Sequence, residues 1–219
     1  MVALPRSLLS IQMDLAPLVD SRFLADNDII HKLACCGLLQ QWLQWPVVPP
    51  AEVWVLPSMR FVVRSKFKDD QATMAELDRF LTQVSHIPSA DIESLERISS
   101  EIDVGERQML TVLLCTPEAK HLVTGDKCTL RLMGRLCEED ATLDQRLGQV
   151  QVDCLESIML GLINTLGFAL INARATLRVK SDKVLQVSFG PKKSAENSLQ
   201  SLNYYLDEVG KSAPFLAKT

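Results

Sequence analysis

The chain has 219 residues, 47% of them apolar, and a net charge of −4. That is ample material for one large core, and it provides no global basic field to attract nucleic acid, so any such contact must come from a local patch. The six cysteines, at 35, 36, 115, 128, 137 and 154, form no CxxC pair, which argues against structural zinc.

The opening stretch, MVALPRSLLSIQMDLAPLVD, has no long apolar region before a small-residue cleavage site, so no signal peptide is predicted. Arg22 to Ala25 reads as a short extended run ending at Asp26. The pattern IIHKLACCGLLQQWL then places Ile29, Ile30, Leu33, Cys36, Leu39 and Leu43 along one helix side, and Pro46, Pro49 and Pro50 end it. EVWVLP is a strand candidate. Ser58 to Lys66 fits a helix or a second extended run equally well. Gln71 to Val84, Ser89 to Ile98 and Gly105 to Cys115 are helix candidates, HLVT a brief strand, and Lys127 to Cys137 another helix.

Cys154 to Ala173 is an apolar helical region with a break expected near Gly161 or Gly167. Its most apolar part, Ile158 to Ile171, is too short to span a bilayer and carries Asn164 and Thr165. TLRVKSDKVLQVSF alternates on both sides of Ser181-Asp182-Lys183 and predicts a β-hairpin. Asn197 to Val209 predicts a terminal helix with Leu199, Leu202, Leu206 and Val209 on one face. Cys35, Cys36, Cys115 and Cys154 fall in apolar helical runs and read as buried free thiols of a reducing, cytoplasmic protein.

Strands alternate with helices from residue 22 to about 173, which predicts an α/β fold with a central, mostly parallel sheet. Ligands bind such sheets at the carboxyl ends of the strands. Asp26 ends one strand candidate, Asp126 follows another, and Glu106 opens the helix that feeds the second. Each acid also has a purely structural reading. Asp103 and Glu106 have capping-box spacing, Asp126 can cap the helix from Lys127, and Asp26 the helix after it. Caps alone do not explain why all three fall at one end of the sheet. A cluster of carboxylates without His or Cys suits a hard cation such as Mg²⁺ or Mn²⁺.

Three segments carry a family resemblance. FLADNDIIHKLA resembles the opening strand and helix of the PIN domain, whose first strand ends in an aspartate, here Asp26. IDVGERQMLTVLL resembles a PIN helix start whose acid matches Glu106, and HLVTGDK resembles the "T-x-D" strand end, matching Asp126 beside Thr124. The resemblance spans roughly residues 20 to 173. It implies a three-layer sandwich over residues 1–174, with a C-terminal appendage (hairpin plus helix) over 175–219. It implies a metal-dependent ribonuclease, with Asp26, Glu106 and Asp126 as catalytic and metal-binding residues and Asp28 as a further ligand. Expected partners are RNA and an antitoxin-like protein or a second copy. Arg60, Arg64, Lys66 and Lys127 are candidates for holding the phosphate backbone. Two departures favour a rival, noncatalytic protein- or RNA-binding module. No acid lies between Glu52 and Asp69, and Lys127, Cys128 and Thr129 follow Asp126 where many PIN domains have another aspartate. His31 and His121 sit in apolar surroundings and read as packing residues, and Trp42, Trp45 and Trp54 as core or interface.

Overall fold

A computed structural model describes residues 21–44, 52–67, 70–89, 102–176 and 182–212. Five strands form one sheet: β1 (Arg22–Ala25), β2 (Val53–Val55), β3 (Ser85–His86), β4 (Ala119–Val123) and β5 (Gln151–Asp153). Their order is β3-β2-β1-β4-β5, and every neighbouring pair is parallel. The chain moves outward from β1 through β2 to β3, then returns to place β4 on the other side of β1. The winding therefore reverses between β1 and β4, where a parallel sheet opens a crevice at its carboxyl edge.

Both faces of the sheet are covered, as parallel sheets require. Side chains alternate between two cores with the period of two that strands impose. Phe23, Ala25, Val53, Val55 and Val123 enter one core. Leu24, Ala119 and Leu122 enter the other. The first is roofed by α1 (Asn27–Cys35), α2 (Leu39–Gln44), α4 (Gln71–Leu81), α8 (Leu155–Leu166) and α9 (Phe168–Thr176). Over the second lie α5 (Val104–Cys115), α6 (Lys127–Glu139) and α7 (Ala141–Leu147). Helix α3 (Met59–Phe67) settles the ambiguity over Ser58 to Lys66 in favour of a helix. The candidate helix over Ser89 to Ile98 lies outside the described residues.

Several expectations need correction. The second half of the expected hairpin is a helix, α10 (Lys183–Ser188), and Thr176, which opens the hairpin motif, ends α9. Asp182 is the N-cap of α10 rather than a turn residue, accepting from the Leu185 amide at 3.0 Å. It also pairs with Lys32 of α1 at 2.8 Å. Six residues of apolar alternation cannot separate strand from helix, and this cap decides it. Cys115 is exposed at the end of α5, while Cys35, Cys36 and Cys154 are buried as expected, and all four are free thiols. The break in the apolar helical region falls at Gly167, whose φ of 86° a side chain rarely adopts. His121 is buried and stacked on Phe23 with ring centroids 4.0 Å apart, and burial pulls its pKa down to about 4.

The last helix, α11 (Ala195–Ser212), joins the two halves: Leu202 belongs to the first core, Val209 to the second, and Leu206 packs against the second. Leu185, Phe189 and Leu202 belong to the core that Phe23 and Ala25 of β1 enter. Three such side chains contribute about 5–9 kcal/mol on burial, comparable to the ~5–15 kcal/mol that stabilises a typical domain. A chain ended after Thr176 is expected to lose its cooperative thermal transition in circular dichroism. An unchanged melting curve would show that this segment adds nothing to the fold.

Candidate functional site

The carboxyl edge of the sheet opens into a cleft of about 700 Å³ lined by Asp26, Asp28, Asp103, Glu106, Asp126 and Lys127, with Leu56, Val62 and Val104 as apolar walls. Residues eighty to a hundred positions apart in sequence meet here for a topological reason. Asp26 leaves β1 and Asp126 follows β4, the two strands flanking the reversal. Glu106 comes from the first turn of α5, which runs back toward the start of β4 and so begins at the same edge. Gly105 allows the close approach, because a Cβ there would stand 2.9 Å from Leu56 Cδ1.

Glu106 and Asp126 take part in caps, and both line the cleft with Asp26. Asp103 accepts from the Glu106 amide at 2.8 Å, and Glu106 Oε2 accepts from the Asp103 amide at 3.2 Å, which completes the capping box. Asp126 Oδ1 accepts from the amides of Cys128 at 2.5 Å and Thr129 at 3.1 Å. Asp26 differs. It stands at the cap position of α1 without a side-chain cap bond. Its neighbour is Thr124, whose hydroxyl donates to Asp26 Oδ2 at 3.4 Å and accepts from the Asp126 amide at 3.2 Å. Thr124 thus links the two strand ends across the reversal.

The crowding shows in proton affinity. Burial, then the charges of Asp28 and Asp126, push the Asp26 carboxyl up to about 6, against a smaller pull from nearby amides. Glu106 is pushed up to about 7 by burial, by a hydrogen bond with Asp126 and by the charges of Asp126 and Asp103. The positive ends of α1, α5 and α6 all face this edge and offset part of the repulsion.

The other candidates divide. Asp28 lines the cleft, its side chain half exposed, and Lys32 bridges it at 2.6 Å to the Asp182 pairing. Lys127 lines the cleft directly. Arg60 is exposed on α3, whose Val62 lines the cleft. The side chains of Arg64 and Lys66 lie outside the described residues. Trp42 is buried in the first core, and Trp54 packs against the second beneath the Arg22 guanidinium.

Sequence reasoning missed Asp153, which ends β5 at the same edge. Burial raises its pKa, and the Ser157 hydroxyl donates to it at 3.2 Å. The signal was present in QVQVD, an alternating run followed by an acid. Among the described residues, no three His, Cys, Asp or Glu side chains are gathered tightly enough to hold a metal ion as they stand. No protein-family model, curated protein or solved structure matches the chain.

Proposed function

We propose that the cleft is the active site of a metal-dependent endoribonuclease of PIN type. One observation carries this reading: three acids from distant parts of the chain line one open cleft at the reversal point of a parallel sheet. Caps alone need no such meeting.

The donor chemistry fits a divalent cation. The lining acids offer hard oxygens without competing sulfur, and burial and mutual repulsion leave two of them short of positive charge. Glu106 and Asp126 each spend one oxygen on a cap and keep another. Asp26, Glu106 and Asp126 would hold the ion, with Asp28 at the rim. When bound, Mg²⁺ or Mn²⁺ supplies positive charge for a phosphoryl oxygen and activates water for attack at phosphorus. Lys127 brings an ammonium to the phosphate, and Arg60 extends positive charge along α3. Thr124 holds Asp26 in register with Asp126.

Among the described residues, no helix is long and apolar enough to cross a membrane. The exposed thiols of Cys115 and Cys128 favour a reducing cytoplasm. A second reading, a noncatalytic binding module, draws on Val104, which lines the cleft and is 65% exposed, and on Phe61, 74% exposed and next in sequence to the cleft-lining Val62. In that reading an antitoxin-like protein or a second copy covers this rim.

Cleavage of generic single-stranded RNA in the presence of Mg²⁺ or Mn²⁺ separates the two. The wild type is expected to cut and to stop in chelator. Glu106→Gln preserves the capping box, since Gln serves at that position, yet removes a ligand charge. It is expected to lose at least about a hundredfold in rate, roughly 2.7 kcal/mol of barrier. No cleavage by the wild type, or full activity in Glu106→Gln, supports the binding module instead.

A further inference from the structure

Beside the cleft lies a second, much smaller recess, lined by Asp26, Glu106, Thr124 and Thr129 together with Met109, Leu110 and Leu122. Asp26 and Glu106 line both this compartment and the outer cleft, so these two residues are shared between the two. Thr129 is 5% exposed, and among the described residues its Oγ1 has no hydrogen-bond partner. The Thr124 hydroxyl is already engaged with Asp26 and with the Asp126 amide. Thr129 therefore brings an unused donor and acceptor to a small recess that two acids also line.

We propose that this inner compartment binds one water molecule, bridging Thr129 Oγ1 to the Asp26 and Glu106 carboxyl groups. The volume open to a water centre is about 10 Å³. That matches the ~10–15 Å³ one water needs and is too small for a phosphate or a hydrated cation. Water fits chemically. It accepts from or donates to the threonine and donates to carboxylate oxygens, giving the two to four partners typical of buried water. Thr129 then acts as a positioning residue: through the water it fixes the inward oxygens of both acids and so orients the outward ones. The water belongs there whether or not the outer cleft cuts RNA.

The test is a set of crystal structures of the full chain as wild type, Thr129→Val and Thr129→Ser, at a resolution that shows ordered water and with Mn²⁺ in the soak. One water is expected within hydrogen-bond distance of the residue-129 hydroxyl and of at least one carboxyl group in the wild type and in Thr129→Ser. It should be gone in Thr129→Val, which keeps the shape and removes the hydroxyl. In carbon-13 NMR the Asp26 and Glu106 carboxyl shifts should move in Thr129→Val and return in Thr129→Ser. A dry compartment in the wild type, a water retained in Thr129→Val, or manganese density inside it overturns the proposal. If Thr129→Val does not fold, oxygen-17 relaxation of the wild type must still reveal a long-lived internal water. An inactive wild type with the water in place would end the nuclease reading and leave this one standing.

Discussion

Asp126→Asn is expected to abolish RNA cleavage and the rise in melting temperature on adding Mg²⁺ or Mn²⁺, while leaving the metal-free protein at least as stable as the wild type. The cap survives, because an asparagine Oδ1 can still accept from the amides at 128 and 129 and Asn caps as well as Asp. The charge does not survive. Losing one anionic ligand removes several kcal/mol of attraction for the cation and the transition-state charge, which corresponds to about a thousandfold in rate at ~4 kcal/mol. In the wild type, metal at a hundredfold excess over its dissociation constant should stabilise the fold by ~2.7 kcal/mol, or roughly 5–11 °C for a chain of this size at about 2–4 °C per kcal/mol. Scanning calorimetry with and without metal reads both effects. No metal-induced rise in the wild type, together with a variant that melts several degrees lower, would show that the acids serve as caps alone.

Asp26→Asn should stabilise the metal-free protein, by an amount that depends on pH. The folded pKa of Asp26, about 6, lies above its ordinary value of 3.8. The folded state therefore binds the proton more tightly, and ionisation costs stability. Below pH ~4 the carboxyl is protonated in both states and the cost is absent. It grows as pH rises and is complete above about pH 6. A gap of that size between folded and unfolded proton affinities corresponds to about 2–3 kcal/mol. Asparagine cannot ionise, and Asp26 makes no side-chain cap bond to lose. The variant and the wild type should therefore have matching urea midpoints at pH 4 and diverge by pH 8, the variant being more stable. Taking the difference between the two chains also cancels His121. Its depressed pKa makes stability rise with pH between about 4 and 6.5, opposite to the acids. Half-exposed Glu106 makes a smaller contribution of the same sign as Asp26, reduced by solvent screening. Added metal should be more stabilising at pH 8 than at pH 5, since protons compete for the same oxygens. A midpoint difference that does not change with pH would mean that Asp26 carries no burial penalty.

The parallel sheet and its acid edge were legible because their signals are local. RFLA followed by an aspartate, and KHLV followed by TGD, mark two strand ends without any knowledge of the partner strands. The capping box around Glu106 was readable for the same reason. Strands β3 and β5 were not, since two or three residues become a strand only by pairing with a neighbour brought close by the fold: Trp54 with Ser85, His121 with Gln151. Asp153 was lost along with β5. The hairpin was misread because Asp182, a turn former by composition, is a helix cap held by Lys32, an ion pair between residues 150 positions apart. Thr129 gave no signal at all. Its significance lies in a hydroxyl left unpartnered against two acids, a property of three-dimensional space.

The core that Phe23 and Ala25 enter also contains Leu185, Phe189 and Leu202, so one face of the strand bearing Asp26 is made early and covered late. During synthesis β1 must wait for some 180 further residues to emerge before its apolar face is sealed, counting from Phe23 to Leu202. The acid cleft depends on that strand's position. A ribosome carrying a shorter nascent chain would display the three acids without a working site.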